Sequence, residues 1–315
     1  MKTVHADRPL AMAAARAGDD SGLECVGPPG WFSTVHVVLR HAGLIAAIVL
    51  FPLNVPLAAI FVASYLVRIW GMEAVYHRYF SHRSFRASRA FQTMLALVGT
   101  QCGQRGPLWW AYVHRLHHRY ADTDQDVHSP NAHSFWRAYM GWMRDTESYR
   151  MDFGEIADFA RFPELRWLTR YYEIPLELGG IALFVAGHFG AFGPGVSGWS
   201  AYLWGYCAPA ALVLHAAALL NTLGHRPALL GGYRNFADEP YATNRPILSL
   251  LMLGAGLHNN HHQSAASART AVAWHEMDAT FRTLQWLRAA GLVTHLRDAR
   301  IGACESPSPA ASPRH

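Results

Sequence analysis

Residues 35–70 read VHVVLRHAGLIAAIVL, then FPLNVP, then LAAIFVASYLVRIW. Val35–Leu50 and Leu57–Trp70 are apolar runs, and between them stand Pro52, Asn54 and Pro56. Proline lacks the N–H and the backbone freedom that a helix interior needs, so the break reads as a tight turn between two helices. Each run falls short of the roughly 20 residues that cross a bilayer, and flanking residues must complete the span. Arg40, His41 and Arg68 lie near the ends, where long side chains are expected to snorkel towards water. A second pair follows: Leu178–Phe192 and Tyr202–Leu220, separated by Gly193-Pro194-Gly195 and Ser197-Gly198-Trp199. The expected fold is all-α and integral to the membrane, with four transmembrane helices in two hairpins. Two buried hairpins of a soluble protein are the alternative.

Composition favours lipid. Of 315 residues, 51% are hydrophobic and 16% charged, against about 25% charged in a soluble domain. A formal charge of +5 raises nucleic acid as a partner, but no Lys/Arg run with interleaved aromatics is present, and none is expected. Cys25, Cys102, Cys207 and Cys304 are scattered, which suits a reducing compartment. The turns at 52–56 and 193–199 carry no Lys or Arg, whereas residues 77–170 carry thirteen Arg. By the positive-inside rule both hairpins return to the cytoplasmic side. The stretch FARFPELRWLTRYYEIP reads as amphipathic helix against the membrane. Residues 1–30 read as an N-terminal tail, 31–295 as the membrane domain with a cytosolic helical cap, and the Pro- and Ser-rich 296–315 as a disordered tail.

Nineteen histidines stand out. Three clusters fall on the expected cytoplasmic side: His77-Arg78-Tyr79-Phe80-Ser81-His82, His114-Arg115-Leu116-His117-His118 and His258-Asn259-Asn260-His261-His262. Spacing of i, i+3, i+4 in the last two puts three imidazoles on one helical face. His77 and His82 would diverge by about 140° on an ideal α-helix, so the helix is expected to end or unwind between them. Asn221 and His225, also four apart, close the last span. Burying so many imidazoles without partners is costly, and nine nitrogens suit two ions with four or five ligands each. Zinc is satisfied by four; imidazole also suits iron, and a nitrogen-rich, membrane-apposed set favours iron that activates oxygen.

HRYFSH, HRLHH and HNNHH resemble the three histidine boxes of the membrane fatty acyl desaturases, and NTLGH resembles that family's additional Asn-x-x-x-His element. GPLWWAYVHRLHHRYADTDQDVHSP and TNRPILSLLMLGAGLHNNHH resemble the bacterial Δ9-type acyl desaturases in particular. The resemblance implies four membrane helices under a cytosolic cap, two iron ions, O2 as co-substrate and a bent tunnel for an acyl chain. It implies His77, His82, His114, His117, His118, His225, His258, His261 and His262 as catalytic metal ligands, with Asn221 acting through a water. It also implies an active site facing the cytoplasm of a bacterial inner membrane. Three departures stand out: Val113 where the family commonly has Asp, Ala255 where it has Glu, and Ala138-Tyr139 where it has Ser-His. None removes a ligand, but lost acidic groups are expected to loosen the histidines' orientation.

The expected activity is an O2-dependent desaturase, an oxidoreductase placing a cis double bond in an acyl chain carried on CoA, acyl carrier protein or glycerolipid. A lipid hydroxylase or ketolase with the same iron is the alternative; a membrane metal carrier fits less well, because carriers place ligands within their spans. The chain has no flavin, dinucleotide, haem or iron–sulfur motif. Electrons must therefore arrive from a ferredoxin or cytochrome b5-like donor with its reductase, docking on arginines such as Arg78, Arg83, Arg86, Arg115 and Arg119. Trp109, Trp110 and Trp142 are expected to line the substrate tunnel, and Arg115 to bind a phosphate-bearing head. His128 is a candidate for supporting a ligand or meeting that head.

Overall fold

The computed structural model describes residues 23–26, 30–144, 149–226, 231–299 and 308–309. Most of both expected tails lies outside the described residues. The exceptions matter at the N-terminal end, where β1 (Leu23–Cys25) pairs antiparallel with β2 (Arg150–Asp152) and Val26 joins the main core.

The protein is mostly helical. Helix α1 (Gly30–Leu50) ends at the expected break. Asn54 then caps α2 (Val55–Trp70), its side chain accepting from the Leu57 N–H at 2.9 Å, and Pro56 sits in the first turn, where a missing N–H costs nothing. Helix α2 does not stop at Trp70: its winding widens into a π-helix over Gly71–Ser81. Later come α3 (Arg89–Thr100), α4 (Pro107–Tyr120), α5 (Phe135–Tyr139), α6 (Pro163–Arg170) and α7 (Glu173–His188). Helix α8 (Gly198–Tyr202) runs through a π turn at Leu203–Cys207 into α9 (Ala208–Leu223). Helices α10 (Pro246–Leu251), α11 (His258–Gln263) and α12 (Ala279–Ala289) follow.

Among the described residues, three helices are long and apolar enough to cross a membrane: Gly30–Leu50, Val55–Ser81 and Gly198–Leu223. The expected span at 178–192 is the 16-residue α7, which rises about 24 Å, less than the roughly 30 Å of a hydrocarbon core.

Arg40 and Arg68 do not snorkel. Both are buried: Arg40 pairs with Glu173 at 2.5 Å and Glu177 at 2.9 Å, while Arg68 donates to the Gln101 carbonyl and to Ser64 Oγ. An ionised group among apolar helices needs such partners, and all but Ser64 come from distant segments. Nearby, His41 Nδ1 donates to the Val37 carbonyl at 2.7 Å. With Nδ1 donating, His41 Nε2 accepts from His215 Nε2 at 2.9 Å, and His215 Nδ1 accepts from the Tyr139 hydroxyl at 2.7 Å. This chain ties α5 to α1 and α9.

The largest core surrounds the π-helix. Val75, Tyr76, Tyr79 and Phe80 pack with Leu95 of α3, Leu108 and Tyr112 of α4, Leu165 and Leu168 of α6, and Phe281 and Leu284 of α12. A π-helix stacks residues five apart. The His82 N–H donates to the His77 carbonyl at 3.2 Å, and Arg78 pairs with Glu73, five residues earlier, at 3.0 Å. The expected break between His77 and His82 is therefore a widening, with the helix ending at His82 only after the two rings share a face.

Candidate metal centre and adjoining cavity

The sequence clusters do not map one to one onto sites. Nitrogens of His77, His82, His114, His118 and His261 form one group, those of His117, His225, His258 and His262 a second, and within each all lie within 4.8 Å of one another. Helix α4 sends His114 and His118, four apart, to the first group and His117 to the second. Helix α11 does the reverse, giving His261 to the first and His258 with His262 to the second.

Nε2 atoms face one another in both groups: 2.9 Å for His77–His261, His82–His114 and His118–His261, and 2.8 Å for His225–His258. On the outer side of three rings stands a carboxylate. His77 Nδ1 lies 2.8 Å from Glu73, His117 Nδ1 2.9 Å from Asp126, and His225 Nδ1 2.8 Å from Asp122. A carboxylate accepts only, so these Nδ1 atoms carry the proton and each Nε2 turns a bare lone pair inward. Lone pairs converging in this number cannot satisfy one another by hydrogen bonding, and a cation fits them.

Electrostatics agrees. Burial and neighbouring imidazoles push His82, His114, His118, His258, His261 and His262 well below the ordinary imidazole value, leaving neutral rings that can ligate. Burial opposes charge on His117, but Asp126 outweighs it and raises that ring. Burial would raise Asp126 and Asp122 too, yet His117 and His128 hold the first, and His225 the second, below the carboxylate range.

Glu73, Asp122 and Asp126 were missed as site residues in the sequence. Glu73 stands four residues before His77, and the DTDQD run follows the second cluster, which was the available signal. Acidic partners of the histidines thus stand at positions other than 113 and 255. Glu276 adds a further anchor, accepting from Asn260 at 3.0 Å, one residue before His261.

A cavity of about 430 Å³ adjoins the histidines. Its lining includes His77, His114, His117, His258 and Asn221, and also Trp109, Trp110, Trp142, Val113 and His128. Trp109 and Trp142 stack with ring centroids 5.9 Å apart, and Trp110 stacks on His114 at 4.8 Å. Buried His128 lies with Nδ1 3.4 Å from Asp126.

Two arginines part from the sequence reading. Arg115 is not among the lining residues; it donates to the Ser81 and Phe80 carbonyls at 2.9 and 2.8 Å and pairs with Asp158, closing the end of the π-helix instead of meeting substrate. Arg78 is 1% exposed, between Glu73 and Asp278, and has no surface to offer a donor. Arg83, Arg86 and Arg119 remain exposed or partly so.

Three apolar helices of membrane length, together with two histidine groups that could hold metal and that share the wall of one cavity, define a membrane-protein class with a candidate metal centre. Comparison with known proteins narrows the class. Residues 50–297 match the family described as Fatty acid desaturase. The chain is 32% identical over 272 residues to the sn-1 stearoyl-lipid 9-desaturase of Anabaena variabilis, covering 85% of this chain and 93% of that one. It is 29% identical over 234 residues to the sn-1 stearoyl-lipid 9-desaturase of Synechocystis sp., with 72% and 67% covered. Over 232 residues it is 29% identical to the Acyl-CoA C20 Delta5-desaturase of Anemone leveillei, with 73% and 70% covered. The chain belongs to the fatty acid desaturase family, and the enzyme is an oxidoreductase.

Proposed function

We propose that this enzyme places a cis double bond at the Δ9 position of a saturated acyl chain carried on a membrane glycerolipid. The observation that supports it is the five-plus-four convergence of imidazole nitrogens on the wall of a tryptophan-lined cavity. The names of the Anabaena and Synechocystis relatives support the position and the lipid carrier. The reaction takes a saturated –CH2–CH2– unit, O2, two electrons and two protons to –CH=CH– and two waters.

The nine histidines would hold two iron ions, five rings at one and four at the other, with Asn221 contributing through a water. Iron bound there supplies the oxidising power, with O2, to remove hydrogen from an unactivated methylene. The chain's own part is geometric. Glu73, Asp122 and Asp126 fix the proton on the outer nitrogen of their histidines and so fix which nitrogen faces inward. Trp109, Trp110 and Trp142 present flat apolar walls that exclude water and hold a methylene chain beside the histidines.

Four spans are proposed, α7 making the third with help from its flanks. The turns at 51–54 and 189–197 then lie on one side, and the Arg-rich segments form a cap on the cytoplasmic side. Electrons would come from an acidic ferredoxin or cytochrome b5-like protein through its reductase, docking near Arg83, Arg86 and Arg119. Expression in a host without its own desaturase, supplied with oxygen and a reductase system, tests the whole. A new Δ9 monounsaturated chain in the glycerolipids is the expected result by mass spectrometry. A lipid heavier by one oxygen would replace desaturation with hydroxylation.

A further inference from the structure

Helix α10 is built the wrong way round for a helix in water. Pro246, Ile247, Leu250 and Leu251 are exposed, whereas its one polar side chain, Ser249, is buried with Leu248 and donates to the Met277 carbonyl at 2.9 Å. Spacing of i, i+3, i+4 puts Ile247, Leu250 and Leu251 on one face, and they are 75, 60 and 49% exposed. A helix on an aqueous surface turns its polar side outward; an unbroken apolar face turned outward marks a surface that meets something apolar.

What it meets follows from its place beside α2. The Tyr65 hydroxyl donates to the Leu251 carbonyl at 3.2 Å, one of the last-turn carbonyls that a helix cannot satisfy by itself. From Val55, where α2 begins, to Tyr65 is a rise of about 15 Å, half the roughly 30 Å of a hydrocarbon core. A bilayer crossed by α2 therefore extends past Tyr65, and the end of α10 lies at that depth. The apolar surface is continuous, for Val62 and Leu66, on the side of α2 that carries Tyr65, are exposed as well. Further along, at about 23 Å from Val55, Trp70 Nε1 donates to Thr283 Oγ1 of α12 at 2.7 Å. Trp286, one turn beyond Thr283, is exposed beside Arg282 and Arg288, a pairing of aromatic and basic side chains that suits the level where hydrocarbon gives way to headgroups.

We infer that α10 is a lipid-binding surface, sunk in the hydrocarbon of the leaflet nearest the histidines, with acyl chains of the bilayer covering Ile247, Leu250 and Leu251. A soluble partner cannot reach that depth. The contact bears on the histidines through the backbone. The Arg245 N–H donates to the Gly256 carbonyl at 2.7 Å, and a Cβ at Gly256 would stand 2.1 Å from the Ser249 nitrogen, so α10 is locked against the segment that enters α11 at His258. Lipid that seats α10 thereby sets the depth of His258, His261 and His262 relative to the membrane. The inference needs α2 to cross the bilayer and does not depend on the reaction.

The full chain, without native cysteines, receives a nitroxide at Ile247→Cys or Leu250→Cys and is reconstituted in vesicles of phosphatidylethanolamine and phosphatidylglycerol. Power-saturation EPR compares collisions with O2, which concentrates in hydrocarbon, and with nickel ethylenediaminediacetate, which stays in water. At both sites O2 should prevail by about threefold or more, whereas a label at exposed Asp238, in Asp238→Cys, should favour nickel. Both α10 labels replace exposed side chains, so packing is undisturbed and each site reads depth by itself. Nickel-dominated relaxation at either α10 site would overturn the inference. Shielding from both reagents would overturn it as well, and spin–spin broadening that disappears on dilution with unlabelled chain would then identify a second copy of the protein as the cover. Neither metal nor turnover enters the readout, so O2-dominated relaxation in a chain that makes no double bond would sink the desaturation reading and leave this one standing.

Discussion

At the scale of single residues, the two nitrogen groups make separable predictions. His261→Ala removes a nitrogen from the five-membered group and His117→Ala one from the four-membered group. Both should abolish desaturation, and each should lower iron per purified chain below two, measured by elemental analysis of the same samples. Activity retained in either variant would refute the assignment. The supporting carboxylates should act more gently. Asp122→Asn and Asp126→Asn keep shape but let the outer partner offer an N–H, and a roughly 10–100-fold loss of iron affinity or activity is expected for such contacts. An iron titration of the refolded apoprotein reads it, and unchanged affinity in both would show that the carboxylates do not orient the rings.

Between residue and domain, the π-helix is the decisive element. Arg78 holds it from inside, against Glu73 and Asp278, and Arg115 from its end. Arg78→Met leaves two buried carboxylates without their cation and should cost about 3–5 kcal/mol; Arg115→Met, which gives up partly exposed contacts, should cost about 1–2 kcal/mol. Thermal unfolding in detergent ranks them, and the reverse order would contradict this account of the segment. The sequence told much here and missed much. Prolines 52 and 56 marked the α1–α2 turn, and i, i+3, i+4 histidines marked α4 and α11, because both signals are local. The widened winding was hidden, since only tertiary packing and the Glu73–Arg78 pair distinguish five-residue stacking from a helix end. Arginines misled for the same reason: Arg40, Arg68, Arg78 and Arg115 look alike in sequence whether they meet water or polar partners inside the fold. The sharing of the second and third clusters between two groups was equally invisible, because a face of a helix does not say how many partners stand before it.

For the whole molecule, the proposal of four spans is tested by labelling. In a variant without native cysteines, single cysteines at Leu53 and Gly195 should react with a membrane-impermeant maleimide from the same side, and one at exposed Arg86 from the other. If Gly195 labels with Arg86, α7 does not cross. The interleaved histidines carry a consequence of another kind. Helices α4 and α11 each serve both nitrogen groups, so neither group can form while the helices of the other are out of place. Metal uptake should therefore be cooperative, an all-or-none loading in which singly filled chains are scarce, and damage to either helix should cost the protein both ions together.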